Sequence, residues 1–344
     1  MTRGRAAASV LTLLLLVIAC AAGCSGGALP ASSSGSASGA SAGSSVGSSV
    51  GSPAAGSPRG PSSTGSDASD DAAQDETVTV TATADRVLKD PDLTESSDLA
   101  ASPQHDGLLW TTNDSGNAPV IYGVGRDGRT AVRLRVRGSS DVDWEGLAAW
   151  RGADGVAYLA IGDIGDNGAV RSTLEVAIVK EPTELPASGA TLTVTPVRRI
   201  TLTYPDRARD AETLMVDPRD ERILIAGKGL QTRLFEVPAT AWPGRRTGQD
   251  RAGLKAAGVL PMLFATDGVA LPGGQLLIRT YTTLALVSPL AAGAEPRRLA
   301  TVALPSQRQG EGVAAADGQV YLSTEGTGMA VLRFAMPQVF SSQM

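Results

Sequence analysis

A short motif returns five times along this chain, each time as a polar residue, a small residue and three apolar ones. The clear copies are Glu145-Gly-Leu-Ala-Ala, Glu212-Thr-Leu-Met-Val, Asp267-Gly-Val-Ala-Leu and Glu311-Gly-Val-Ala-Ala. A fifth, Ser97-Asp-Leu-Ala-Ala, lacks the acid but has Glu95 just upstream. Copies stand about 45 to 65 residues apart, a period that belongs to solenoids, propellers and arrays, in which one supersecondary unit is stacked several times.

Between copies the chain reads as short strands. Leu108–Thr112, Ala157–Ile161, Arg222–Ala226, Gln275–Arg279 and Gln319–Ser323 are apolar runs of strand length. Turn signals precede several of them: Asp154-Gly, Asp217-Pro-Arg-Asp, Pro272-Gly-Gly and Asp317-Gly. A third strand follows each run, as in Val120–Val124 or Leu174–Ile178, and in most copies a fourth, as in Ala131–Val136 or Arg298–Val302. The only helical pattern, Ala252–Val259, is too short to count. Four antiparallel strands per repeat predict an all-β fold, a β-propeller of four-stranded blades.

Motif count gives five blades. Six remain open, because the interval from Leu147 to Leu214 either hides a degenerate blade or carries an insertion at Glu181–Ala190. The last repeat runs out after three strands, near Met336. The alternating N-terminal strand near 77–83 is expected to supply its outer strand and close the ring, leaving no first-to-last edge unpaired.

The alignment brings polar residues to one end of the ring. First strands contribute Ser97, Glu145, Glu212, Asp267 and Glu311; the ends of second strands contribute Asn113, Asp163, Lys228, Tyr281 and Glu325, with Arg279 nearby. Together they predict an acidic funnel at one mouth of the central channel. Two readings compete. The acids accept hydrogen bonds where blades meet, or several stay unpaired and hold a cation. Crowded carboxylates raise one another's pKa, and Ca²⁺, with its six to eight oxygen ligands, would relieve the repulsion. Glu145, Glu212, Asp267 and Glu311 are the candidate metal ligands. Asp141-Val-Asp143-Trp-Glu145-Gly begins like an EF-hand loop, but Gly152 stands where the bidentate Glu belongs. Gly162-Asp-Ile-Gly-Asp166-Asn167 and Asn113-Asp114-Ser-Gly-Asn117 read as Asp/Asn turns.

No catalytic residue is assigned. The single histidine, His105, lies in a turn, and the only cysteines are Cys20 and Cys24, so no His/Cys set exists for zinc. Hydrolysis would rest on the carboxylates and a metal, with Lys228 and Arg279 clamping an anion and Tyr281 orienting it. A net charge of -5 without a basic block argues against nucleic acid.

The N-terminus reads as an export signal. Arg3 and Arg5 precede a short apolar stretch, Ala6–Ala19, that ends at two lipobox-like sites, Val17-Ile-Ala-Cys20 and Ala21-Ala-Gly-Cys24. These resemble the lipoboxes of bacterial lipoproteins, and the resemblance makes Cys24, or Cys20, the lipid-modified residue that carries palmitate or a related acyl chain. The expected organisation is 1–23 signal peptide, 24–75 Ser/Gly/Ala/Pro tether, 76–338 propeller and 339–344 C-terminal tail. The tether is too polar to order itself, and as a coil it would reach about 40 Å.

The stretches Leu108-Leu-Trp-Thr-Thr-Asn-Asp-Ser-Gly-Asn, Asp143-Trp-Glu-Gly-Leu-Ala, Ile161-Gly-Asp-Ile-Gly-Asp-Asn, Tyr204-Pro-Asp with Arg209-Asp-Ala-Glu, Leu277-Ile-Arg-Thr-Tyr and Thr324-Glu-Gly resemble a group of exported β-propeller proteins, many from actinobacteria, with no assigned activity. The likeness covers about 90–335. More distantly the chain resembles the SdiA-regulated and phytase-like propellers. That resemblance implies channel carboxylates, placed on Glu145, Glu212, Asp267 and Glu311, and calcium in or near the channel. Ser97 and Lys228 depart from the acid pattern and favour an asymmetric pocket.

The expectation is a lipid-anchored, extracytoplasmic, monomeric binding module on the cell membrane. Its partner would be a cation, a small polar ligand, a cell-wall component or a protein. The alternatives are a Ca²⁺-dependent hydrolase of phosphate or carboxylic esters and a protein-interaction scaffold.

Overall fold

A computed structural model describes residues 78–140, 142–186, 189–239, 241 and 249–344. The expected signal peptide and tether, both cysteines, Thr77 and Asp141 lie outside the described residues.

The fold is a five-bladed β-propeller. Blade 1 holds Ala100–Ala101, Leu109–Thr112, Val120–Val124 and Thr130–Val136; blade 2 holds Trp144–Arg151, Ala157–Asp163, Leu174–Lys180 and Arg198–Thr203. Blade 3 holds Ala211–Asp217, Arg222–Gly227, Thr232–Glu236 and Lys255–Leu260, and blade 4 holds Ala265–Ala270, Leu276–Thr280, Thr283–Val287 and Arg298–Ala303. Blade 5 takes Val313–Ala316, Gln319–Leu322 and Ala330–Ala335 from the C-terminal end. First strands touch in sequence around the circle, blade 5 returning to blade 1.

The N-terminal segment closes blade 5, but a few residues beyond the expected stretch. Thr83–Val87 pairs antiparallel with Ala330–Ala335. Val78–Thr79 instead lies parallel to Val302–Ala303 as a fifth strand on blade 4. Two further blades gain such a strand, Thr191–Val194 beside Arg133–Val136 of blade 1 and Gln249–Gly253 beside Arg199–Thr203 of blade 2. The long interval between the second and third motifs therefore holds an excursion to the rim of blade 1 and no sixth blade. The helical pattern at Ala252–Val259 is overridden: the stretch runs from the end of Gln249–Gly253 into Lys255–Leu260.

Five apolar clusters fill the five clefts between neighbouring blades. Trp110 and Trp144, both almost wholly buried, sit in the cluster between blades 1 and 2. Burial of side chains this size stabilises by about 1.5–3 kcal/mol each, and no disulfide is needed to explain the fold. The last residues are not a loose tail. Gln338–Ser341 forms one helical turn that drives Phe340, 0% exposed, into the cluster between blades 4 and 5.

The small residue of the motif has a steric cause. A Cβ on Gly146 would stand 2.6 Å from Leu214 Cβ, and one on Gly312 2.6–2.7 Å from the Asp98 carbonyl group. At these glycines the inner strands approach so closely that a side chain does not fit, while Thr213 and Asp98 are accommodated at the same position in blades 3 and 1.

Candidate functional site

The acids at the starts of the first strands are aimed by bulges. Pairing slips between Trp144 and Gly146 and again between Ala211 and Thr213, so Glu145 and Glu212 each bulge out of their ladders. A bulge re-aims one side chain. In blade 4 the slip falls one residue earlier, between Ala265 and Asp267, and Thr266 occupies the bulge.

That offset decides the role of Asp267. Fully buried, it accepts hydrogen bonds from the amides of Val313 (2.7 Å), Gly268 (2.7 Å) and Leu99 (3.2 Å). It ties blade 4 to blades 5 and 1 and is a structural acid, not a metal ligand. Asp98, also fully buried, accepts from the Thr112 amide and hydroxyl. Arg279 is likewise spent on the fold: it donates to the carbonyls of Gly312 (2.5 Å) and Ser323 (2.9 Å) and to Gln307 Oε1 (2.5 Å). Burial pulls its pKa down to about 10. An anion clamp at Arg279 is therefore corrected.

Asn113 is a brace. Its Oδ1 accepts from the amides of Thr94 and Glu95, and its Nδ2 donates to Asp92 O. Asp163 pairs with Arg171 at 2.7 Å and accepts from the Asp143 amide. Asp166 accepts from the amides of Val170 and Arg171, as a turn Asp should. Half-buried His105 bonds through Nε2 to Pro182 O at 2.7 Å. Its turn joins the first two strands of blade 1, at the opposite end of the ring from the motif acids.

The remaining acids gather around Lys228 and Glu145. Lys228 donates to Glu212 Oε1 and stands 5.5 Å from the Tyr281 ring centroid. Burial lowers the Lys228 pKa, but Glu212 and Glu311 outweigh it and hold the ammonium charged. Glu212, 4% exposed, keeps its Oε2 buried with no hydrogen-bond partner among the described residues. Burial, and then Lys228 and Arg279 pulling back, leave Glu311 at about 7. Glu325 accepts from Gln309 Nε2 at 2.7 Å; burial and the charges of Glu311, Asp114 and Glu95 push it to about 8. Tyr281 is raised by burial and by Glu311.

The tightest group lies between blades 1 and 2. Asp114, Asp143 and Glu145 each offer a carboxylate oxygen, all within 4.8 Å of one another. Ser97 donates to Glu145 Oε2, and burial with the charges of Glu212 and Asp114 drives the Glu145 pKa well up. Burial, Asp114 and Asp210 push Asp143 to about 7. Asp143 Oδ1 is buried and has no hydrogen-bond partner among the described residues. Gly165 packs against both acids: a Cβ there would lie 2.4 Å from Asp143 Cγ and 2.7 Å from Glu145 Cγ. The loop keeps a glycine where any side chain would displace the carboxylates.

Repeat alignment singled out Glu145, Glu212, Asp267 and Glu311 as candidate metal ligands, with Asn113 and Asp163 in the funnel beside them. The structure groups Glu145 with Asp114 and Asp143. The signal was present as alternate acids in Asp143-Trp-Glu145 and as the Asn113-Asp114 pair.

No protein-family model and no curated protein matches the chain. Among solved structures it is similar to a gluconolactonase from Xanthomonas campestris described as important in glucose secondary metabolic pathways. Identity is 10%, the TM-score is 0.38, and the match covers 73% of this chain and 89% of that one.

Proposed function

We propose that this protein is an extracytoplasmic binding module, lipid-anchored through Cys24, whose propeller holds a divalent cation in an acidic funnel. Asp114, Asp143 and Glu145 are the ligands from protein. The observation that carries the reading is that one carboxylate oxygen each of Asp114, Asp143 and Glu145 lie within 4.8 Å of one another, while Asp143 keeps a buried Oδ1 without a hydrogen-bond partner among the described residues. Three converging carboxylates without an ion pair are costly unless protonated or bound to a cation. An all-oxygen set suits a hard cation, Ca²⁺ before Mg²⁺, because Ca²⁺ accepts irregular geometry. Ligand positions beyond the three carboxylates are left for water or for an oxygen of a second ligand.

Binding is favoured over hydrolysis by the state of the cations. A hydrolase of anionic esters would need Lys228 and Arg279 to hold its substrate, and both are engaged, by Glu212 and by backbone carbonyls. Thermal unfolding with Ca²⁺ against excess chelator tests the reading. A cation at about 100 times its dissociation constant adds about 2.7 kcal/mol and several degrees to the midpoint. That shift is expected to saturate and to vanish in Asp143→Asn. An unchanged midpoint up to millimolar Ca²⁺ would remove the metal.

A further inference from the structure

Large aliphatic side chains are exposed at eight described positions: Val78, Val87, Val142, Val170, Leu230, Leu263, Val339 and Met344. Four belong to the terminal segments. The other four, Val142 (54%), Val170 (80%), Leu230 (75%) and Leu263 (55%), all stand on connections at the acidic end of the ring. Val142 enters blade 2, Val170 lies in the loop after its second strand, Leu230 in the corresponding turn of blade 3, and Leu263 enters blade 4. Scattered single aliphatics on a surface need no explanation, but a run along one arc does.

These loops are tied together. Asp166, which fixes the Val170 amide, donates its own amide to Asp210 Oδ1 at 2.8 Å. Lys228 donates its amide to Asp210 O at 3.0 Å, and Phe264 donates to Gly229 O at 2.9 Å. The apolar arc is thus held in place beside the carboxylates. Glu95, Asp114, Glu311 and Glu325, on blades 1 and 5 across the mouth, form no ion pair among the described residues. Exposed aliphatics thus stand on the arc of blades 2 to 4, and four carboxyl groups stand on the facing blades 1 and 5.

We infer that this end of the propeller docks a peptide segment in which a lysine or arginine is flanked by aliphatic residues. The basic side chain reaches the carboxylates of blades 1 and 5 while its aliphatic neighbours cover the arc on blades 2 to 4. Charge complementarity selects this occupant: an anionic lipid surface would be repelled by the same acids, and a wholly polar cation would leave the arc uncovered. The docking deepens the binding-module reading but does not require the metal.

Fluorescence anisotropy tests it with a labelled, end-capped heptapeptide carrying one lysine between valine and leucine pairs. Controls replace the lysine by glutamate or the aliphatics by serine. Titrations use the full chain with Ca²⁺ and with chelator, beside the double variant Val170→Ser, Leu230→Ser. Both side chains are exposed, so the variant should fold and keep any Ca²⁺-dependent thermal shift. Saturable binding to the lysine–aliphatic peptide is expected, at least tenfold weaker for either control peptide and for the double variant. Equal binding of the serine control, or no binding of the lysine–aliphatic peptide, would overturn it. So would binding of the rim to phosphatidylcholine vesicles in place of the peptide. Loss of the Ca²⁺ shift with peptide binding intact would remove the metal alone.

Discussion

At the scale of residues, the chemistry turns on carboxyl groups that hold their protons too tightly. Asp143 and Glu311 lie at about 7 and Glu325 at about 8, against about 4 for an unfolded chain. The native state therefore binds more protons than the unfolded state between those limits. Stability without a cation is fullest below pH 4 to 5 as far as these groups are concerned, and falls as pH rises through 7 to 8. A divalent cation bound by Asp143 competes with that residue's proton. Its affinity is expected to rise by about tenfold or more from pH 6 to pH 8, and calorimetric titrations across that range check it; a flat profile would contradict the assignment. Gly165→Ala places a Cβ on Asp143 and Glu145 and should abolish the Ca²⁺-dependent thermal shift while leaving a cooperative transition without the ion.

Lys228 offers a second test at this scale. Its side chain is 16% exposed and that of Glu212 5%. Lys228→Met strands Glu212 beside Glu145 and Glu311 and should cost about 3–5 kcal/mol, while the double change with Glu212→Gln should recover most of it. Denaturant unfolding of Lys228→Met, Glu212→Gln and the double variant decides; a loss in the double variant equal to the sum of the two single losses would show the pair to be uncoupled. Lys228 and Glu212 were legible as an aligned pair of positions. Their mutual ion pair was not, because it depends on the bulge at Glu212.

Elements show where sequence patterning succeeds and where it stops. Second and third strands of all five blades are apolar runs bounded by turn residues, and each is present in the fold. They were legible because period and turn chemistry are local. The fifth strands on blades 1, 2 and 4 were not. Thr191–Val194 is polar on alternate positions and pairs with Arg133–Val136, more than fifty residues away; nothing nearby in sequence marks that register. The N-terminal closure was legible as a need, since blade 5 lacked a strand, but its register belongs to Thr83–Val87 because Arg86 is held by the carbonyls of Gly107 and Val124. The C-terminal turn is also structural. Phe340→Ala is expected to cost about 3 kcal/mol, measured by denaturant unfolding, where a solvated tail residue would cost almost nothing.

For the whole molecule, five sheets form a ring closed where Thr83–Val87 pairs with Ala330–Ala335. Asp267 and Arg279 brace it near the axis, and loops at one end carry the acids and the aliphatic arc. The motif that made the fold readable is therefore mostly about packing, and the proposed ligand set is one motif acid and two loop residues beside it. At this scale the export reading is tested by acyl labelling in cells, where Cys24→Ser should abolish incorporation and release the protein from the membrane.

The cation site itself is tested most directly by anomalous diffraction from crystals soaked in a lanthanide as a calcium surrogate. A single strong peak bounded by Asp114, Asp143 and Glu145 is the predicted result, lost in Asp143→Asn. No peak there, or peaks only on exposed surface carboxylates, would contradict the account.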